Sequence, residues 1–123
     1  MIVALLLALA NPNLVAVDDA NLALTACGFV THREAAQANN SLDQFRAALG
    51  NRCAGEIVQM RRALMALETG RGKSQSAARL SADGMIAGFQ ANFAGGYARR
   101  HESQAQIKAL IDAIEREGTS DAK

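Results

Sequence analysis

Two cysteines are the residues of this chain whose type and spacing point most clearly to chemistry. Cys27 and Cys53 lie at equal distances from Asn40, thirteen residues on either side of it. If a turn at Asn40 joins two antiparallel helices, both side chains lie at the same level, because each helix rises equally per residue. The Cα atoms can then approach the separation of about 5–6 Å that a disulfide requires. The spacing predicts a structural disulfide, with two reduced core cysteines as the alternative.

Such a bond would contribute substantially to stability. It would close a loop of about 27 residues, for which the chain-entropy relation gives roughly 3.5 kcal/mol. An even number of cysteines in a small domain is also typical of proteins that fold in an oxidising compartment.

Cys27 also ends the stretch Leu24-Thr25-Ala26-Cys27, which resembles the site where bacterial lipoproteins are cut and acylated. A lipoprotein signal needs an apolar run that leads directly into the cysteine. Here Asp18 and Asp19 intervene, and each carboxylate costs about 2.5–3.5 kcal/mol at membrane depth. The sequence therefore favours a disulfide over lipidation at Cys27.

Nothing else in the chain has the pattern of a catalytic, metal or cofactor site. His32 and His101 have no second ligand at the spacing that metal sites use, and they are predicted to be surface residues of helices. The chain contains no nucleophile elbow, no phosphate-binding glycine loop and no C-x-x-C pair. We therefore expect a protein that is not an enzyme and that needs no cofactor.

The first ten residues, MIVALLLALA, resemble an export signal. An apolar run that ends in the small-x-small triplet Ala8-Leu9-Ala10 predicts cleavage before Asn11. No Lys or Arg precedes the run, which departs from the usual layout, and a short buried helix is the alternative. Export predicts a periplasmic or secreted protein, with a cytoplasmic one as the alternative. No run of about 18–20 apolar residues is present, so no transmembrane helix is expected in the mature chain.

Composition favours an all-α fold in one domain. Half of the 123 residues are hydrophobic but only 4% are aromatic, and Pro12 is the only proline. The predicted architecture is a small bundle of three or four helices whose N-terminal part is an antiparallel hairpin. The expected segments are a signal at 1–10, a linker at 11–17, a helical domain at 18–118 and a flexible tail at 119–123. The predicted helices span 18–38, 42–69, 75–94 and 97–117.

Apolar residues at helical spacing predict which face of each helix is buried. In the first helix this face holds Leu22, Ala26, Phe29, Val30 and Ala36. The second begins with a capping box, Ser41-Leu42-Asp43-Gln44, and it must tolerate or bend at Gly50 and Gly55. The third is expected to end or kink at Gly95-Gly96. Its predicted apolar residues are Leu80, Met85, Ile86, Phe89 and Phe93, and those of the fourth are Ile107, Leu110, Ile111 and Ile114.

Two surface features have both a structural and a functional interpretation. Small residues form a stripe that is predicted to pack closely on another helix of the bundle or, alternatively, to form a groove for a partner helix: Gly84, Gly88, Ala91 and Gly95. Basic residues surround the turn before the third helix and could contact an anion: Arg61, Arg62, Arg71, Lys73 and Arg79. Since the net charge is only +1, strong attraction to nucleic acid is not expected.

Together these patterns predict an exported, non-enzymatic helical protein with one disulfide. It would act as a binding or accessory module for an unknown protein partner in the cell envelope. The alternative is a cytosolic protein that contacts another protein or nucleic acid through the basic turn.

Overall fold

The computed structural model describes residues 11–121. Over this range the chain forms four α-helices and no strand: α1 (Pro12–Gln37), α2 (Leu42–Arg52), α3 (Ala54–Gly70) and α4 (Gln75–Asp121). The predicted all-α bundle is confirmed. The predicted signal at 1–10 lies outside the described residues.

Helix α1 begins earlier than predicted. The side chain of Asn11 accepts a hydrogen bond from the Asn13 amide at 3.0 Å, and Pro12 occupies the first helical turn, where its missing N–H costs nothing. Residues 12–17, predicted to be a linker, are therefore helical. The helix ends before Asn39, which adopts a positive φ of 53° and lets the chain reverse.

The predicted helix at 42–69 is divided at Cys53. The capping box at Ser41 is confirmed, because the Ser41 and Gln44 side chains each bond the other residue's amide. At Cys53 the backbone leaves helical geometry, with φ −97° and ψ 17°. The next helix, α3, begins directly after it at Ala54. Gly50 and Gly55 flank this point and have open space around them. The helix is thus interrupted between the two glycines at which a bend was expected.

Helix α4 begins at the Ser74 cap and is longer than predicted. The Ser74 hydroxyl accepts from the Ala77 amide at 3.2 Å. The helix has 47 residues and passes through Gly95-Gly96 without interruption, so the predicted break is wrong. Each glycine costs only about 1 kcal/mol in a helix. Ala94 and Tyr97 are buried on either side of the pair and hold the helix in place.

The core lies where α1 packs on α3 and α3 packs on α4. Helix α1 runs antiparallel to the α2–α3 segment, as the side chain of Asn13 lies beside Gly70 and Cys27 lies beside Cys53. The predicted N-terminal hairpin is therefore confirmed. The largest fully buried side chains are Phe45, Leu24, Leu64 and Cys53.

The predicted buried face of α1 is wrong for three of its five residues, whereas Ala36 packs against the core and Val30 is partly buried. Leu22 and Phe29 are 75% and 65% exposed, and Ala26 is exposed too. The buried face carries mostly small residues: Ala20, Leu24, Gly28, Thr31 and Ala35. Small side chains let neighbouring helices approach closely, so this face enters the bundle although the other face has larger apolar residues. For the same reason Leu80 and Met85 on α4 are exposed, while Ala78 and Ala82 are buried.

Candidate functional site

The two cysteines are brought together as predicted. Their Sγ atoms lie 2.07 Å apart, at disulfide distance, and their Cα atoms lie 5.9 Å apart. Cys53 is fully buried at the joint between α2 and α3, whereas Cys27 is partly buried on α1. The pair therefore ties the middle of α1 to the point where the opposite arm of the hairpin is interrupted.

The Thr31 side chain contacts both cysteines. Its hydroxyl is buried and donates to the Cys27 carbonyl at 2.8 Å, one helical turn earlier. The same oxygen lies 3.6 Å from the Cys53 sulfur. The one buried polar side chain among the described residues is thus satisfied beside the cysteine pair.

An aromatic cluster lies next to the loop that joins α1 to α2. The rings of Phe45 and Tyr97 stack with centroids 4.4 Å apart, and His32 meets both rings edge-on. The Tyr97 hydroxyl donates to the carbonyl of Asn40 in the loop. Sequence spacing did not reveal this cluster, because its members come from three different helices. His32, predicted to be a surface residue, is instead partly buried in it.

His32 gives the fold a dependence on pH. Burial lowers the pKa of its imidazole, and the nearby Arg100 guanidinium lowers that pKa further. As the pH falls through about 6.5, the unfolded chain takes up a proton at this position before the folded protein does. We therefore expect the melting temperature to fall between about pH 7.5 and pH 5.5, and His32→Gln to reduce that fall. His101→Gln is the matched control on the exposed part of α4, and an equal pH profile for wild type and His32→Gln would contradict the prediction.

An apolar groove runs between α1 and α4. One part of it, about 310 Å³, is bordered by Phe29 and Phe93, whose ring centroids are 5.4 Å apart, and by His32 and Arg100 at its polar end. A second part, about 330 Å³, shares Asn92 with the first. Each part lies at the lower end of the volume range of small-ligand sites, about 300–1,000 Å³. The groove can accept apolar side chains. Of the four small residues predicted as an alternative partner-helix groove, Gly88 lines its second part. The contribution of Phe29 was not predicted, because the sequence places that face of α1 in the core.

Gly28 allows the Phe93 side chain of α4 to pack closely against α1 at the bottom of this groove. A Cβ atom at Gly28 would lie 2.6 Å from the Phe93 ring, far inside van der Waals contact. The Phe93 ring therefore rests directly on the α1 backbone.

The predicted close packing at Gly84 and Gly88 within the bundle is wrong. Both residues are exposed, and between residues 11 and 121 no atom outside the local helix lies within 4 Å of a Cβ built at either position. Ala91 is exposed too, and Gly95 lies near the side chain of Arg99 on its own helix. The alternative, a groove for a partner helix, stays a prediction.

These environments predict opposite effects of adding one methyl group. Gly84→Ala and Gly88→Ala should each stabilise the protein by about 0.5–1 kcal/mol, because alanine restricts the unfolded chain and nothing obstructs the Cβ. Gly28→Ala should destabilise it by about 1 kcal/mol or more, because the Phe93 ring must move. Urea unfolding of the three variants measures the difference. A destabilising Gly88→Ala would mean that another part of the folded protein covers this surface.

The basic turn is largely paired with carboxylates. Arg61 donates to Asp83 at 2.8 Å, Lys73 lies 2.6 Å from Glu68, and Arg79 lies 3.9 Å from the other oxygen of Asp83. The hydrogen bond from Lys73 is the main cause that lowers the pKa of Glu68. Arg62 and Arg71 are exposed. The five basic residues therefore do not present their full charge to an anion.

No metal-binding cluster is found between residues 11 and 121, since no three His, Cys, Asp or Glu side chains there converge. His32 and His101 do not face each other but flank Tyr97, with ring centroids 5.2 and 6.2 Å from it. The described residues thus offer a disulfide, an aromatic cluster and an apolar groove.

Helix α1 is long and apolar enough to cross a membrane by length and composition. Its best window has a mean hydropathy of 1.3, and 22% of that window is buried in the fold. The sequence had indicated no stretch of this kind, but a bundle helix and a signal sequence satisfy the same criterion. The exposed carboxylates Asp18 and Asp19 oppose insertion.

No protein-family model, no curated protein and no solved structure matches this chain significantly. Its functional interpretation rests on the geometry described above.

Proposed function

We propose that this protein is an exported, non-enzymatic helical module that is held together by the Cys27–Cys53 bond and binds a protein partner in the cell envelope. The observation that carries the proposal is the cysteine pair at disulfide distance. Structural disulfides persist mainly in oxidising compartments. The export-like pattern of residues 1–10 supports the same location.

The groove between α1 and α4 supports the binding role. Phe29 and Met85 are more than half exposed, and Phe93 is partly exposed beside them. Large apolar side chains that line a surface groove are typical of sites that receive an amphipathic helix. Arg100 lies at one end of the groove and favours an acidic residue there. The proposed partner is therefore an amphipathic helix with an acidic residue near one end.

The location is tested by the mass of the protein isolated from its native host, with alkylation before and after reduction. We expect a chain that lacks residues 1–10 and two thiols that react only after reduction. A chain that begins at Met1 with both thiols free would contradict export. A chain that begins at Cys27 and carries lipid mass would instead show a lipoprotein.

The groove is tested by crosslinking in intact cells with wild type, Phe29→Glu and the control Leu80→Glu. Leu80 is 77% exposed and does not border the groove, so its variant adds the same charge elsewhere. We expect a crosslinked protein that is retained by wild type and Leu80→Glu and lost with Phe29→Glu. Equal crosslinking of all three proteins, or of none, would contradict the proposed groove.

A further inference from the structure

The last part of α4 extends past the core of the bundle. Tyr97 is the last buried residue of the chain as described, and no residue from 99 to 118 is buried. We refer to residues 99–121 as the α4 extension. At 1.5 Å per residue it is about 35 Å long. In proteins most of the stability of a helix comes from packing of its apolar face, so a partner on that face would stabilise the extension.

The extension has one apolar face that the bundle does not cover. Four large aliphatic side chains lie on it at spacings of three and four residues, each about half exposed or more: Ile107, Leu110, Ile111 and Ile114. Side chains at this spacing form the seam of helix pairs. The face is therefore a surface for another helix.

The charges of the extension are complementary to those of a second, antiparallel copy of the same helix. Its first part, residues 99–108, has three basic side chains and one acidic, whereas residues 109–121 have four acidic and one basic. Two antiparallel copies place each basic part beside the acidic part of the other copy. Two parallel copies would place like charges together, which opposes association.

The aliphatic stripe has the same symmetry. Ile107 lies three residues before Leu110, and Ile114 lies three residues after Ile111. A two-fold axis between Leu110 and Ile111 therefore sets Ile107 against Ile114 of the second copy and Leu110 against Ile111. In that register Arg100 lies opposite position 121, an aspartate. The same surface on each copy is thus complementary to itself, as a two-fold symmetric dimer requires.

We propose that the α4 extension is a self-association surface through which two copies form an antiparallel helix pair. The stripe spans only about one heptad, from Ile107 to Ile114, so the dimer is weak, with a dissociation constant on the order of micromolar. The dimer does not depend on export, and of the residues that border the α1–α4 groove its interface includes Arg100 at the polar end.

Sedimentation of the full-length, disulfide-bonded protein from about 1 µM to about 1 mM tests the proposal, because this range brackets a weak dimer. We expect a shift from monomer to dimer in wild type and only monomer in Ile111→Glu. The control is Ala109→Glu, which adds the same charge on the opposite face of the helix and should still dimerise. A monomer at every concentration, or dimers of Ile111→Glu, would overturn the proposal.

Charge reversal tests the antiparallel arrangement. Arg100→Glu and Asp121→Lys, at the two positions that face each other in this register, should each weaken the dimer about tenfold, because two-fold symmetry makes each change act twice. The double variant should regain most of the wild-type affinity. Single variants that dimerise as wild type does would contradict the arrangement. Phe29→Glu should dimerise normally, so failure of the groove and failure of the dimer are distinguishable.

Discussion

Reduction of the Cys27–Cys53 bond should lower the melting temperature of the protein by on the order of 10 °C or more. The two cysteines are 26 residues apart in sequence. A bond across that separation lowers the entropy of the unfolded chain and thereby stabilises the folded protein by about 3.5 kcal/mol. The whole stability of a domain this size is about 5–15 kcal/mol. The bond therefore accounts for a large share of it.

The measurement is thermal unfolding followed by circular dichroism, with and without a reducing agent. The variant Cys27→Ala/Cys53→Ala should melt near the temperature of the reduced wild type and should not respond to the reducing agent. A melting temperature that is unchanged on reduction of the wild type would mean that the cysteines are not bonded in the isolated protein.

Phe45→Ala should destabilise the protein by about 3–5 kcal/mol. Phe45 is the largest of the fully buried side chains among the described residues. Its ring stacks on Tyr97 and meets the edge of His32, so one substitution removes contacts to α4 and α1 together. Because α2 is only 11 residues long, its position depends on this packing.

Denaturant unfolding of Phe45→Ala at fixed protein concentration measures this effect. Phe45→Leu should lose less, because leucine fills part of the cavity. Leu80→Ala is the matched control, since Leu80 is exposed and its loss should change stability by no more than about 0.5 kcal/mol. Equal destabilisation by Phe45→Ala and Leu80→Ala would contradict the role of Phe45 in the core.

The features that the sequence predicts correctly depend on interactions between residues close together in the chain. The capping box at Ser41 depends on two side chains three residues apart, so it is visible in sequence. The cysteine pairing follows from the position of one turn, because two helices with the same rise per residue bring residues at equal distances from the turn to the same level. The hairpin and the pairing can therefore be predicted once the turn is located. The bend near Gly50 and Gly55 is likewise a backbone property.

Errors arose where packing opposed local preference. Gly95-Gly96 was expected to end a helix, but the buried neighbours Ala94 and Tyr97 outweigh the small cost of the two glycines. The linker predicted at 11–17 is helical from Pro12 for a local reason, because Asn11 caps α1 and a proline fits the first turn.

The sequence by itself determined the helical class, the capped turn and the cysteine pairing of this protein, because each depends on spacing along one chain. Only the tertiary structure decided which face of α1 enters the core, since close approach of helices selects Gly28 and Ala35 over Leu22 and Phe29. That choice leaves Phe29 beside Phe93 and creates the groove. The tertiary structure also decided that the stripe from Ile107 to Ile114 is uncovered, because α4 is longer than the helices it packs against.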